Sequence, residues 1–420
     1  MGKLVSEGKM PYRDFFYGHP PLHVYVLALV YRLFGFSILA FRLLPLFCTL
    51  LSAFFVFKIA QNRFKNAEAV LSSALFLFAY STMFNSLFSF GIEIATFFLV
   101  LGCFFLFNRK NYFAAGIFFG LAGITKLLAL VPVFVVLAIL FFQNGKIFFK
   151  AATGFALIFI TANCLFIIPL GLDYLIPAYN YHFIKTSSSS EKLTEYANIL
   201  MLNRIIFLSP LFFLFVKEKK KASVFFAISV AYLLFLLLLK RIYGFYFSPL
   251  MPFLALTGGF FVVEFIKNIG INKRLKILLC VFLAAVLIWD LSANIMFLNK
   301  SGFTGFKPAK EMADYIKSVS DDKTMLFGDD SSIPLMALMT NKKIAMDFVD
   351  TNNQVFDTKI KDIGKTLDEI KGKDIIFIIR DSKGISGYKE TTDFLNEECA
   401  FGKKFTDPFE GNFLVFKCFT

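Results

Sequence analysis

Ten apolar runs fill most of residues 38–297, and that one pattern leaves the chain few ways to fold. They cover 38–60, 66–84, 88–107, 111–126, 127–142, 147–168, 199–216, 222–239, 245–266 and 275–297. Crossing a hydrocarbon core takes about 17–25 apolar residues. Lipid offers nothing to an open backbone N–H or C=O, so the runs are predicted as helices. The two short runs at 111–142 read as a tight hairpin turning at Lys126. Charge follows the same division. Residues 1–298 hold 26 Lys/Arg against 10 Asp/Glu, while 299–420 hold 18 against 20. A soluble chain is about a quarter charged, and this one is 18%. Scattered cations in an acid-poor apolar region indicate a polytopic membrane domain and exclude a nucleic-acid binder. Three units are predicted: an outer-face loop and interfacial helix (1–37), a transmembrane domain (38–298) and a soluble tail (299–420).

Positive charge fixes the orientation. Lys58/Arg63/Lys65, Arg109/Lys110, Lys146/Lys150, Lys217/Lys219/Lys220/Lys221 and Lys267/Lys273/Arg274/Lys276 fall on alternate connections, nearly free of acids. They are predicted to face the cytoplasm. The Asn85 turn, Lys126, the 169–198 loop, Lys240/Arg241 and both termini then lie outside, at a plasma membrane. An outside N-terminus carrying Lys3, Lys9 and Arg13 has no preceding span to deliver it, so a first transmembrane helix upstream of Met1 is expected.

The tail alternates helix and strand patterns. Strands are expected at 324–328, 344–348 and 374–380, with Asp374–Arg380 apolar enough to be central. Helices are expected at 309–319, 332–340, 360–370 and 389–398, which together make a small extracytoplasmic α/β domain. Cys399 and Cys418 flank two terminal strand-like runs, and outside the cell they could pair. Cys48, Cys103, Cys164 and Cys280 lie in spans as packing residues. With three His in all, no His-rich metal site is expected, and no cofactor.

Polar groups at membrane depth are costly and mark candidate sites. Residues 11–23, PYRDFFYGHPPLH, bring Asp14 and His19 beside an apolar helix at 22–34, too short to span; an aromatic interfacial anchor is the alternative reading. Glu93 stands just inside the outer end of a span, where it either faces a wet cavity or makes an interhelical hydrogen bond. Arg42 either snorkels to headgroups or lines a cavity. Lys126 lies between two apolar half-hairpins, and Lys240 and Arg241 add cations at the same face. Together they suit a phosphorylated lipid whose tail lies in the bilayer and whose phosphate meets Lys/Arg, with a carboxylate to deprotonate an incoming hydroxyl. Cation-stabilised departure of that phosphate needs no metal.

Five stretches, GKMPYRDFFYGHPPL, LFGFSILAFRLLP, FSFGIEIATFFLV, GIFFGLAGITKLLALVP and KRIYGFYFSPLMPFLAL, run in order across residues 8–266. In them the sequence resembles the family-39 glycosyltransferases of the GT-C class, the protein O-mannosyltransferases and the lipid A aminoarabinose transferase. The resemblance implies a GT-C-like bundle, an extracytoplasmic site, a polyprenyl-phosphate sugar donor, inversion at the anomeric carbon, and no metal in this branch. It sets Glu93 where the aminoarabinose transferase has a second functional Asp, and His19 where that enzyme has a phosphate-side Lys. It sets Lys126 on the Lys of a threonine-lysine motif, and Lys240 and Arg241 on a basic pair before the Tyr/Pro helix. The family's catalytic Asp falls before Met1, which leaves Asp14 as a substitute base. The acceptor is a protein, lipid or glycan. Two other classes compete: a lipid or solute transporter, which predicts mid-bilayer polar groups and an internal repeat, and a non-catalytic accessory protein or fragment.

Overall fold

The computed structural model describes residues 1–185, 189–270, 272–300, 306–407 and 411–418. Every predicted apolar run is helical for most of its length. Among the described residues five helices are long and apolar enough to cross a membrane: Ile38–Arg63, Ile92–Arg109, Gly145–Leu170, Gly244–Asn268 and Lys273–Phe297. A sixth span exists only if the pair Glu191–Leu202 and Arg204–Phe215 counts as one, and that pair is bent by 89°. The expected helical membrane bundle is present, with five further apolar helices of 10–17 residues among the described residues. Asn66–Phe78, Tyr112–Thr125, Leu127–Gln143 and Ser223–Leu238 are shorter helices packed among the long ones.

The departures have local causes. The apolar run 199–216 is helical but breaks at Asn203. That buried amide accepts from Ser81 N at 2.9 Å and donates to Ser81 Oγ and Ile199 O, each at 2.9 Å. A side chain so engaged holds the chain in a turn. The 66–84 run likewise splits at Ala79, whose extended backbone separates Asn66–Phe78 from Tyr80–Asn85. The hairpin at 111–142 forms as predicted, turning at an extended Lys126. Leu22–Phe34 is a 13-residue helix, about 20 Å long and too short to span.

Close packing depends on small residues. A Cβ on Gly116 would strike the backbone of Ala151, and one on Gly154 the backbone of Phe113. The helices Tyr112–Thr125 and Gly145–Leu170 therefore meet backbone to backbone, as small residues permit inside lipid.

The bundle has two unlike ends. Arg63 shares one cavity with Lys217, Lys219, Lys220 and Lys221, and another with Lys110. Beside them Lys267 binds Glu264 at 2.9 Å and also pairs with buried Glu68. At the other end of the same helices stand Arg42 and Lys126, and here the tail docks. The last long helix is held to the bundle by Arg204, which pairs with Asp290 at 2.7 Å and lies over the Trp289 ring.

The tail is a four-stranded mixed sheet in the order β1-β2-β4-β3. Its strands are β1 (Met325–Gly328), β2 (Ile375–Arg380), β3 (Cys399–Asp407) and β4 (Gly411–Cys418). β2 is central, parallel to β1 and antiparallel to β4. Ile376 and Ile378 pack on Met312, Ile316 and Met336 on one face, while Ile375, Phe377 and Ile379 pack on Leu367, Ile370 and Phe394 on the other. A strand covered on both faces reads as a continuous apolar run, which is why it was legible. Cys399 and Cys418 are register partners in the β3–β4 ladder and are joined by a disulfide. The expected strand at 344–348 is corrected. Only Ile344 bridges β1, and the chain then turns tightly at Ala345–Asp347. The turn sends Phe348 into the core and Asp347 against Lys9.

Phe16 and Tyr181, from segments at the membrane end, belong to the same core as Phe348, Val355 and Phe377. The tail is thus packed onto the bundle through shared apolar side chains.

Candidate functional site

The segment 11–23 is rigid because its aromatics are nested. Tyr12 packs against Tyr17, Phe166 and Tyr174, and its hydroxyl donates to His19 O at 2.6 Å. His23 is buried, with Nδ1 3.2 Å from the Tyr17 hydroxyl. His19 stacks on His182 with ring centroids 5.1 Å apart. Burial, reinforced by Lys126, drives the His19 pKa well below the ordinary histidine value and takes His23 down to about 3. His182 is lowered as well, by burial and then by Lys185. All three imidazoles are neutral at pH 7. His19 Nδ1, His23 Nε2, His182 Nε2 and the Tyr181 hydroxyl are buried without a partner.

Two lysines close this chamber. Lys126 is 5% exposed and Lys185 is 7%. Lys185 Nζ sits 4.3 Å from the centre of the Tyr181 ring and 5.8 Å from that of Tyr243, over which the Arg241 guanidinium also lies, at 5.2 Å. Among the described residues neither lysine forms an ion pair or side-chain hydrogen bond. An ammonium in such surroundings costs several kcal/mol, a cost that an anion or loss of the proton would relieve. Burial takes Lys185 down to about 8, with Arg241 adding to the effect and Asp350 opposing it.

Asp350 comes from the tail. Burial raises its pKa, against the pull of Lys185 and Lys126. Asp330, nearby, is pushed up to about 7, first by burial and then by Asp350 and Asp329. Tyr243 also lines an adjoining groove of about 550 Å³ whose walls include Tyr80, Phe84, Phe90, Phe245 and Phe297. An apolar groove therefore opens beside the cations.

The structure gathers Lys126, His19 and Arg241 from the candidates read in the sequence. Lys240 is exposed at the end of the preceding helix, and Arg42 lies over the Phe306 ring at 5.4 Å. Neither joins the chamber. Asp14 is elsewhere too, accepting from Arg13 at 2.9 and 3.0 Å and from Met10 N at 2.6 Å. These bonds, with Arg13 first, hold its carboxyl at about 2, so it is a poor base. Glu93 is 2% exposed and accepts from Thr49 Oγ1 at 3.4 Å, leaving Oε1 without a partner. Its helix starts at Gly91, whose positive φ of 80° admits glycine and whose missing side chain makes room for the His23 ring. Glu93 thus stands behind the chamber wall. The groups that sequence reasoning missed are Lys185, His182, Tyr181, Tyr243 and Asp350. YHFIK at 181–185 was the available signal, two basic side chains in an otherwise apolar turn. Among the described residues no three His, Cys, Asp or Glu converge as a metal set would.

Comparison with known proteins agrees with this architecture. Residues 18–170 match the family model for dolichyl-phosphate-mannose-protein mannosyltransferase. No curated protein matches by sequence. Among solved structures, ArnT from Cupriavidus metallidurans bound to undecaprenyl phosphate superposes with a TM-score of 0.66 at 13% identity, over 95% of this chain and 88% of that one. The same protein in the apo state gives 0.67 at 13%, over 96% and 88%. The GT-C resemblance holds. It consists of the match to that family model over residues 18–170 and a shared fold over nearly the whole chain.

Proposed function

We propose that the chain is a membrane glycosyltransferase that moves one sugar from a polyprenyl-phosphate carrier to an acceptor, inverting the anomeric carbon. The observation that carries this reading is the pair of buried lysines without carboxylate partners, Lys126 and Lys185, beside an apolar groove. A lipid phosphate satisfies both features at once: its charge suits Lys126, Lys185 and Arg241, and its prenyl chain suits the groove lined by Tyr243 and Phe245. As the sugar leaves, negative charge grows on the phosphate oxygen, and fixed cations in a dry chamber stabilise it more than water does. The neutral imidazoles of His19 and His182 can add hydrogen bonds to that oxygen.

Orientation follows from charge. Basic clusters gather at the end of the bundle away from the tail, which under the positive-inside rule supports an extracytoplasmic chamber and tail. A disulfide in the tail fits an oxidising compartment. The similar fold of ArnT with undecaprenyl phosphate supports the same class of donor, and the matched family model supports a hexose such as mannose. The test uses purified chain in detergent with undecaprenyl phosphate as probe. Wild type should bind it, and the double variant Lys126→Ala/Lys185→Ala should lose at least tenfold in affinity, since bonds to charged groups are worth about 1.5–3 kcal/mol each. Equal binding by both proteins would refute the assignment.

A further inference from the structure

We propose that the end of the bundle away from the chamber binds an anionic glycerophospholipid. Its phosphate sits among Arg63 and the loop 217–221, and one acyl chain enters the apolar groove behind Arg63. The proposal stands on residues other than those of the donor chamber and does not depend on the glycosyltransferase reading.

The loop is fixed at both ends. Val216 and Ala222 are buried and share a core with Phe260 and Phe261. Phe64 packs against that core, its ring centroid 4.6 Å from that of Phe260, which sets its neighbour Arg63 beside the loop. Inside the loop Lys219 N donates to Lys217 O at 3.0 Å, and Ser223 Oγ donates to Lys220 O at 2.8 Å. Five cations and one acid therefore line a single cavity of about 590 Å³. The acid, Glu218, is taken by Lys221 at 2.6 Å. Among the described residues Arg63, Lys217, Lys219 and Lys220 form no ion pair. Four like charges round one cavity repel one another, and a bound phosphate turns that repulsion into attraction.

A small anion leaves the space behind the cations unexplained. Arg63 also lines a second cavity, of about 220 Å³, whose walls include Leu106, Phe107, Val136, Leu140 and Val224. Its guanidinium lies 5.4 Å from the centre of the Phe107 ring, one of those walls. Phe225 is buried and packs edge-on against both Phe64 and Phe107, so the same aromatic cluster supports both cavities. A cation cluster and an apolar groove that share one arginine complement an amphiphile. Basic pockets between membrane helices on the cytoplasmic side take phospholipid headgroups in this way, whereas a soluble phosphate ester has nothing to place in the groove. Under the orientation proposed above, the lipid belongs to the cytoplasmic leaflet. There it joins the end of Ile38–Arg63, the loop, and the start of Ser223–Leu238.

The test uses the full chain in detergent, with dioleoyl phosphatidylglycerol, dioleoyl phosphatidylcholine and glycerol phosphate as probes, titrated by native mass spectrometry. Wild type should prefer phosphatidylglycerol to phosphatidylcholine by roughly tenfold or more, and should not retain glycerol phosphate at the same concentration. A basic side chain near an anionic lipid is worth about fivefold in affinity, so Lys217→Gln/Lys220→Gln should lose roughly tenfold to thirtyfold. Lys273→Gln/Arg274→Gln removes the same charge from the same end, where Lys276 reaches Lys267 O, but touches neither cavity. It should stay within about twofold of wild type, because charge outside the site is screened. Val224→Phe narrows the groove without changing a charge and should also weaken phosphatidylglycerol binding. Equal losses from the two charge variants reveal a diffuse basic surface and overturn the site. Glycerol phosphate binding as tight as phosphatidylglycerol makes the ligand a soluble ester and overturns the lipid. Wild-type affinity in Val224→Phe overturns the placement of the acyl chain.

Discussion

Replacing Lys126 by Met should move stability and ligand affinity in opposite directions. The side chain is 5% exposed, stands near a second buried lysine, and has no carboxylate in ion-pair contact among the described residues. In the empty protein that charge is a liability: an unpaired buried ion costs several kcal/mol after relaxation. Met matches the length and apolar stem of Lys and removes the charge. Replacing buried charge by well-packed apolar groups returns about 1–4 kcal/mol in measured cases, so the empty variant should unfold on the order of 2 °C higher. With lipid phosphate bound the sign reverses. A charge-assisted bond of about 2 kcal/mol is lost, which is about thirtyfold in affinity. Thermal unfolding with and without undecaprenyl phosphate reads both effects in one titration: wild type should gain more from the lipid than Lys126→Met, from a lower starting point. A variant that is destabilised when empty yet gains as much from the lipid as wild type would show that Lys126 is a structural residue, and the phosphate assignment would fail.

Other outcomes follow from the same geometry. Lys185, held down at about 8 by burial, should lose its charge as pH rises through that value, so undecaprenyl phosphate binding should weaken above pH 8. The unfolded chain keeps its proton to about pH 10.4, so the same group makes the empty fold more stable between those limits; opposite trends in binding and unfolding check both. Asp330, pushed up to about 7, withdraws stability as pH rises from the unfolded carboxylate range through 7, so Asp330→Asn should raise the unfolding midpoint at pH 8 and leave it nearly unchanged at pH 4. Cys399→Ser opens a loop with a sequence separation of 19, and the tail should lose about 3 kcal/mol, read as protease sensitivity confined to 306–418. Asn203→Leu removes three hydrogen bonds at the 89° bend and leaves Ser81 N unpaired, so it should cost about 1–3 kcal/mol.

Much of the fold was legible because its signals are long and one-dimensional. Apolar runs, a basic-cluster alternation and the charge balance of the tail each average over many residues, so single errors cancel. What failed was local. Asn203 bends its helix only because Ser81, over a hundred residues earlier, receives its amide. Residues 344–348 carry a strand-like pattern, yet the chain leaves the sheet where Phe348 finds the core and Asp347 finds Lys9. Lys126 announced itself as a cation where lipid should forbid one, and Arg241 shared its face. His19 stood out less, as one of only three histidines in the chain.

Sequence by itself determined that this chain must be a helical membrane protein with a separate α/β tail, because hydropathy and charge act on each segment whatever its neighbours are. It also marked out a face rich in cations. Only the tertiary structure decided which of those cations share a chamber, since Lys240 and Arg241 are adjacent in sequence yet one is exposed and the other is turned inward over Tyr243. It alone brought Lys126 and Lys185, 59 positions apart in sequence, into one buried cluster with His19 and His182. Electrostatic energy depends on distance and burial, and neither is written along the chain until it has folded.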